Sequence, residues 1–152
     1  MDLYPFIPHI AALAAAYVLA LPIGWDREKQ ERSAGLRTFP LVALASCGFI
    51  QATERFTAGS PEAMARIVEG LITGVGFIGG GAILKIGSSV QGTATAASLW
   101  ATGAIGAAVG LGSYDVAITI CLFTFATLKL MAPFKDEGDG KPAPGSEDSK
   151  RS

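Results

Sequence analysis

Two places in this chain gather side chains that could do chemistry. The first lies between Trp25 and Thr38, where Asp26, Arg27, Glu28, Lys29, Glu31, Arg32 and Arg37 crowd together. Charge of both signs at that density reads either as a solvated loop or as a fixed ion-pair cluster in which Asp26 and Glu28 meet Arg27 and Arg37. Carboxylates and water are what a hard cation such as magnesium takes, but two acids diluted by cations make a poor cage. The second place is Glu69, alone in an apolar run. A carboxylate inside a membrane-length segment is a functional candidate, as part of an ion or proton path. Its plain alternative is a helix-end ion pair with Arg66, one turn earlier.

Helical spacing extends the second place into a stripe. Glu69, Thr73, Gly76 and Gly80 follow at +4, +3 and +4, and Thr95, Ser98, Thr102 and Gly106 at +3, +4 and +4, so each set shares one helix face. If the two segments run antiparallel, Thr102 falls near the depth of Gly76 and Ser98 near Gly80, and a narrow polar seam forms between them. Conventional catalysis has little to work with. The sole histidine, His9, stands at the edge of the first apolar run with no nucleophile or acid at catalytic spacing. Cys47 and Cys121 lie far apart in apolar runs without a CxxC pattern and read as buried thiols. Residues 74–79 match GxGxxG, yet a dinucleotide site needs a preceding strand and an acid about 20 residues on, and the next acid is Asp115. No cofactor is expected.

The elements that must position these residues are membrane-length helices. Half of the 152 residues are hydrophobic, only 16% are charged, and the charges cluster away from the apolar runs, which excludes a disordered or nucleic-acid-binding chain. A helix crossing the hydrocarbon needs about 20 apolar residues. Five runs approach this: Ile7–Trp25, Thr38–Thr53, Ile67–Ile86, Thr93–Leu111 and Tyr114–Met131. Only Gly87–Gly92 and then Gly112-Ser113 separate the last three, so neighbours should run antiparallel. The first eight residues carry no Lys or Arg, unlike a cleaved secretory signal, and the first run is expected to remain. Five crossings place ten cations on one side, from Arg27 through Lys85 and Lys129 to Arg151, and two, Arg55 and Arg66, on the other. Positive charge stays cytoplasmic, so the N-terminus is expected outside and the C-terminus inside. Lys85 and Lys129 read as interfacial anchors, and Asp115 as an acid at a helix start. The fold class is therefore all-α: a polytopic membrane bundle of about five helices over residues 1–132, with a disordered cytoplasmic tail over 133–152, where Pro, Gly, Ser and charge replace apolar residues.

Glycine is expected to hold that bundle together. Gly70, Gly74, Gly76, Gly79, Gly80 and Gly81 fall within twelve residues, and Gly103, Gly106 and Gly110 follow in the next span. Each costs a helix roughly 1 kcal/mol relative to alanine. In lipid the compensation is close backbone approach, through small residues four apart.

The charged stretch also carries a family likeness. Gly24-Trp25-Asp26-Arg27-Glu28, with Ala34-Gly35-Leu36-Arg37-Thr38 running into Leu41-Val42-Ala43-Leu44, resembles the first signature of the MgtC/SapB family of bacterial inner-membrane proteins. Thr73-Gly74-Val75-Gly76-Phe77-Ile78-Gly79-Gly80-Gly81, followed by Val90-Gln91-Gly92-Thr93-Ala94-Thr95-Ala96-Ala97-Ser98-Leu99-Trp100 and Ala104-Ile105-Gly106, resembles the second. The likeness runs over about residues 10–130. The family pattern usually has Glu at Asp26 and Gly-Leu-Thr-Thr where Gly92-Thr93-Ala94-Thr95 stands here. The resemblance implies a membrane protein tied to low-magnesium adaptation and, in pathogens, to survival in host cells. For some members it implies restraint of the proton-driven ATP synthase. Some relatives carry a soluble C-terminal domain; only the short tail is expected here, so functions resting on that domain are not carried over. The expected function is thus a non-enzymatic regulator that binds another membrane protein through glycine-rich faces. The competing expectation is a small transporter or channel subunit using Glu69 and the hydroxyl seam, which would favour a homo-oligomer.

Overall fold

The computed structural model describes residues 6–131 apart from residues 31, 33, 58, 87 and 88, and all described side chains except those of Arg55, Thr57 and Ile86. The expected tail, 133–152, lies outside the described residues. Five helices follow in order: α1 Phe6–Lys29, α2 Thr38–Thr57, α3 Pro61–Gly81, α4 Thr93–Gly110 and α5 Tyr114–Leu130.

α3 departs from the hydropathy pattern in both directions. It starts six residues before Ile67, because Ser60 caps it by accepting the Ala63 N–H at 3.3 Å and Pro61 opens the first turn, where a missing N–H does no harm. It stops at Gly81, five residues short of Ile86. The amides of Ala82 and Ile83 close back onto Gly79 and Gly80 at 3.0 and 3.1 Å, and the chain then enters a two-stranded antiparallel hairpin that the all-α expectation did not include. β1 Leu84–Ile86 pairs with β2 Ser89–Gln91 in the register Leu84↔Gln91, Lys85↔Val90, Ile86↔Ser89. Gly92 joins the hairpin to α4 at φ +86°, with its α-carbon against the Ala82 carbonyl. That is a conformation and a proximity that only glycine accommodates.

α4 is the axis of the bundle and packs on all four other helices. Its own sequence explains why: Ala, Thr, Ser and Gly occupy most positions, so neighbours approach from every side. Gly106 abuts the Ala43 carbonyl of α2, and a β-carbon added there would also lie 2.8 Å from Cβ of Ser46. Gly110 presses against Ile50 and Cys47 in the same way, and Gly103 against the methyls of Val75 on α3. α1 contributes Ala12, Ala16, Ala20 and Ile23 to the core. α5 is tied to α1 where the Cys121 thiol donates to the Leu19 carbonyl at 3.1 Å; Cys47 and Cys121 are both buried and free.

Large apolar side chains stand on the outer surface. Phe77 is 85% exposed and Phe123 72%, and Phe49, Leu122 and Leu130 stand out as well. A water-soluble protein rarely exposes so many large apolar side chains. Among the described residues, two helices, α1 and α3, are long and apolar enough to cross a membrane.

Candidate functional site

The charged stretch of the sequence folds into a joint at one end of the bundle. Asp26 and Arg27 occupy the last turns of α1, and both are buried. Oδ2 of Asp26 receives the Arg27 guanidinium, through Nη2 and through Nε at 3.1 Å, and the Gln30 amide at 2.9 Å. Oδ1 forms an ion pair at 2.8 Å with the ammonium of Lys129, from the last turn of α5. Lys129 is half exposed and also lies 5.8 Å from the Phe125 ring centroid. One buried anion therefore joins α1 to α5 across more than a hundred residues of chain.

Glu28 takes a different part from the one its charge suggests. Its Oε2 accepts the Leu36 N–H at 3.0 Å, and Gly35 packs directly on its carboxylate, with no room for a β-carbon. The loop is thereby folded back onto α1, where Gly24 admits the Leu36 backbone and the Phe39 side chain; a β-carbon on Gly24 would lie 3.3 Å from each. Thr38 then opens α2, its N–H bonding the Gly35 carbonyl at 3.0 Å. The expected cluster of Asp26, Glu28, Arg27 and Arg37 is thus corrected: Asp26 and Arg27 pair, Glu28 holds backbone, and Arg37 is exposed outside the cluster. Lys129 is the partner that sequence reasoning missed. With nitrogens of Arg27, Gln30 and Lys129 around its carboxylate, Asp26 is occupied as the centre of a cationic cluster. Among the described residues, no group of three or more His, Cys, Asp or Glu could hold a metal ion.

The expected seam between α3 and α4 divides. Thr95, Ser98, Thr102 and Gly106 are buried, with Ser98 donating to the Thr95 carbonyl at 2.9 Å and Thr102 to the Ser98 carbonyl at 2.8 Å. Glu69, Thr73, Gly76 and Gly80 are exposed on α3, and Thr73 donates to the Glu69 carbonyl at 2.9 Å. The two stripes do not face each other, because α3 meets α4 through Val75 and Gly79 instead. Val75 fills the space left by Gly103, and a β-carbon on Gly79 would lie 3.2 Å from the Ala96 carbonyl oxygen. The earlier start of α3 also moves Glu69 inward: it is the ninth of 21 residues, two from the helix midpoint or about 3 Å along the axis. No ion pair joins it to Arg66 among the described residues. Lys85 is exposed on β1.

The glycines divide along the same line. Gly79, Gly103, Gly106 and Gly110 make close contacts inside the bundle, whereas Gly70, Gly74, Gly76, Gly80 and Gly81 have nothing within 4 Å of where a β-carbon would stand. The seam expected of Gly76 and Gly80 against α4 is corrected accordingly. Gly70 and Gly74 instead line an open cleft of about 450 Å³ between α2 and α3, walled also by Ala45, Ser46, Phe49, Leu71 and Ile78.

An all-helical bundle with two membrane-length apolar helices, a buried ionic joint at one end and an open, glycine-lined helix on one flank is the architecture of a membrane protein. The particular family follows from comparison: the MgtC family profile matches residues 13–137, and the chain belongs to the MgtC family. It is similar to "Protein MgtC" of Salmonella typhimurium (strain LT2), 40% identical over 111 residues, which cover 73% of this chain and 47% of that protein. It is also similar to "Protein MgtC" of Brucella abortus (strain 2308), 35% identical over 129 residues, covering 85% of this chain and 53% of that protein. The chain thus spans about half the length of these relatives. No solved structure matches it.

Proposed function

We propose that this chain is a non-enzymatic, multi-pass protein of the bacterial inner membrane that acts by binding other membrane proteins, in the service of membrane energetics or low-magnesium adaptation. The observation that carries the proposal is the open flank of α3. Five glycines there lower the helix's own stability and meet nothing inside the chain, so the compensation that close packing provides has to come from outside it. All five helices cross the bilayer in this reading, with the N-terminus outside and the C-terminus cytoplasmic. The joint of Asp26, Arg27 and Lys129 then lies at the cytoplasmic boundary, in keeping with the excess of cations on that side. Family membership supports a role in adaptation to scarce magnesium.

The transport alternative has lost its geometry within one chain, since Glu69 and the buried hydroxyls of α4 stand on different faces. Two measurements test the proposal. A photo-crosslinking residue at exposed Thr73, in native membranes, should give an adduct with another membrane protein, while one at exposed Ile118 on α5 should not. Liposomes containing only this protein should show no ion flux that differs between the native chain and Glu69→Gln. Flux that depends on Glu69 would overturn the binding reading in favour of transport.

A further inference from the structure

Glu69 is out of keeping with the surface it stands on. Its α3 neighbours Ile72, Phe77 and Ile78 are exposed apolar side chains, as a lipid-facing helix requires, whereas Glu69 is an exposed carboxylate about 3 Å from the helix midpoint. An ionisable group at that depth is costly, and it ordinarily faces a bundle interior or pairs with an opposite charge. Here it does neither. Among the described residues no cation stands within ion-pair distance of Glu69, and the Thr73 hydroxyl, one turn on, is spent on the Glu69 carbonyl.

Arg66 does not fill the gap. It is exposed one turn nearer the start of α3, and helical side chains lean toward the N-terminus, so its long stem carries the guanidinium toward the outer interface. Glu69 leans the same way, but that interface is on the order of 12 Å away, and two methylenes do not span it.

Resting on the reading of α3 as a helix-binding surface, we infer that the partner protein presents a transmembrane helix with a lysine or arginine near the middle of its span, and that this cation pairs with Glu69. The sign follows from the acid: an amide or hydroxyl matches a hydrogen bond, but only a cation offsets the cost of the charge. The approach follows from the same face. Thr73, Gly76 and Gly80 succeed Glu69 at helical spacing, and Gly76 and Gly80 have nothing within 4 Å of where a β-carbon would stand, so a partner backbone comes close enough for a side chain to reach across. Apolar spans with a central cation are rare, so the pair also selects among helices that would otherwise fit a glycine face alike.

The test uses the full chain in uncharged liposomes, labelled at its C-terminus, and three synthetic single-span peptides. All share a Leu/Ala sequence with a small residue at every fourth position and differ only at the centre, which carries Lys, Leu or Glu. A central side chain meets the depth of Glu69 whichever way the peptide inserts. Energy transfer reports binding. The Lys peptide is expected to bind about 10-fold or more tightly than the Leu peptide, as one desolvated charge pair supports. Glu69→Gln should bring the two level, and Glu69→Lys should move the preference to the Glu peptide. Both variants should keep the native circular dichroism, since no ion pair within the chain is lost. Equal binding of the Lys and Leu peptides to the native chain, binding of neither, or a preference for Lys that survives Glu69→Gln would overturn the inference. So would a preference that appears only in Arg66→Gln, which would make Arg66 the partner of Glu69 within the chain, or energy transfer between native copies that Glu69→Gln abolishes, which would give the site to a second copy. The Thr73 crosslink separates this inference from the reading it rests on. An adduct whose captured span holds no Lys or Arg sinks the inference and leaves the binding reading standing; absence of any adduct sinks the binding reading, whatever the peptides do.

Discussion

Replacing Gly106 and Gly76 by alanine, one at a time, should move stability in opposite directions although the two glycines share a spacing pattern and a composition. At Gly106 the new methyl group meets the Ala43 carbonyl and comes within 2.8 Å of the Ser46 Cβ. Both obstacles belong to the α2 backbone or the atom next to it, so no rotamer change relieves them and the helices must separate. Overpacking of a tight interface costs about 1–3 kcal/mol, and obstruction by backbone places this site at the upper end. Alanine's better helix propensity offsets roughly 1 kcal/mol of that, leaving a net loss of about 2 kcal/mol. At Gly76 nothing stands within 4 Å, so only the propensity acts, and the variant should gain about 0.5–1 kcal/mol. Unfolding in mixed micelles of rising SDS fraction, followed by circular dichroism, reads both. The midpoint should fall for Gly106→Ala and rise slightly for Gly76→Ala. A loss at Gly76 equal to that at Gly106 would refute the division of the glycines into packed and open sets.

Asp26→Ala should cost about 3–5 kcal/mol in the same assay, because it strands the buried Arg27 guanidinium; the double variant Asp26→Leu with Arg27→Met should recover much of that, and failure to recover would mean that the joint depends on more than charge balance. Lys129→Met removes a half-exposed partner, so its loss should be near 1 kcal/mol and should shrink in high salt. Gly92→Ala combines a φ of +86° with the approach of the Ala82 carbonyl, and should lower stability by about 1–3 kcal/mol, with proteolysis between residues 82 and 93 as the local readout. Phe77→Ala, at a side chain 85% exposed, should leave stability within about 0.5 kcal/mol while weakening the Thr73 crosslink; an unchanged crosslink would remove Phe77 from the binding surface.

The five helices were legible because apolar run length is a property of neighbouring residues, and two-residue connections such as Gly112-Ser113 leave the chain no freedom but to turn back. The limits of α3 were less so. Apolarity continues unbroken through Ile83 and Leu84, so hydropathy passes over the point where Gly79, Gly80 and Gly81 end the helix and a strand begins. The true start did carry a signal, a capping serine followed by proline at Ser60-Pro61, which an apolar count does not register. The pairing of Asp26 with Lys129 left no local trace, because the two residues meet only when α1 and α5 are both in place. Glycine spacing was equally silent about which glycines pack. What separates them is their company: α4 surrounds its glycines with Ala, Ser and Thr and can be approached from any side, while α3 puts Ile72, Phe77 and Ile78 beside them and turns these outward.

This difference bears on how function can be read from the family's residues. The first signature, Gly24 to Thr38, builds a joint: Gly24 admits Phe39 and Leu36, Asp26 gathers nitrogens of Arg27, Gln30 and Lys129, Glu28 holds the loop, and Gly35 leaves room for Glu28. Substitution at any of these positions disturbs the fold first, so loss of function there carries no information about what the protein binds. The second signature divides between the two roles. Gly79 belongs to the packing of α3 on α4, but Thr73, Gly74, Gly76, Phe77 and Gly80 contribute little that the isolated chain needs. Under the proposed binding role, residues that a folded monomer can spare, in a pattern costly to helix stability, are where the activity resides, and they all lie on one helix.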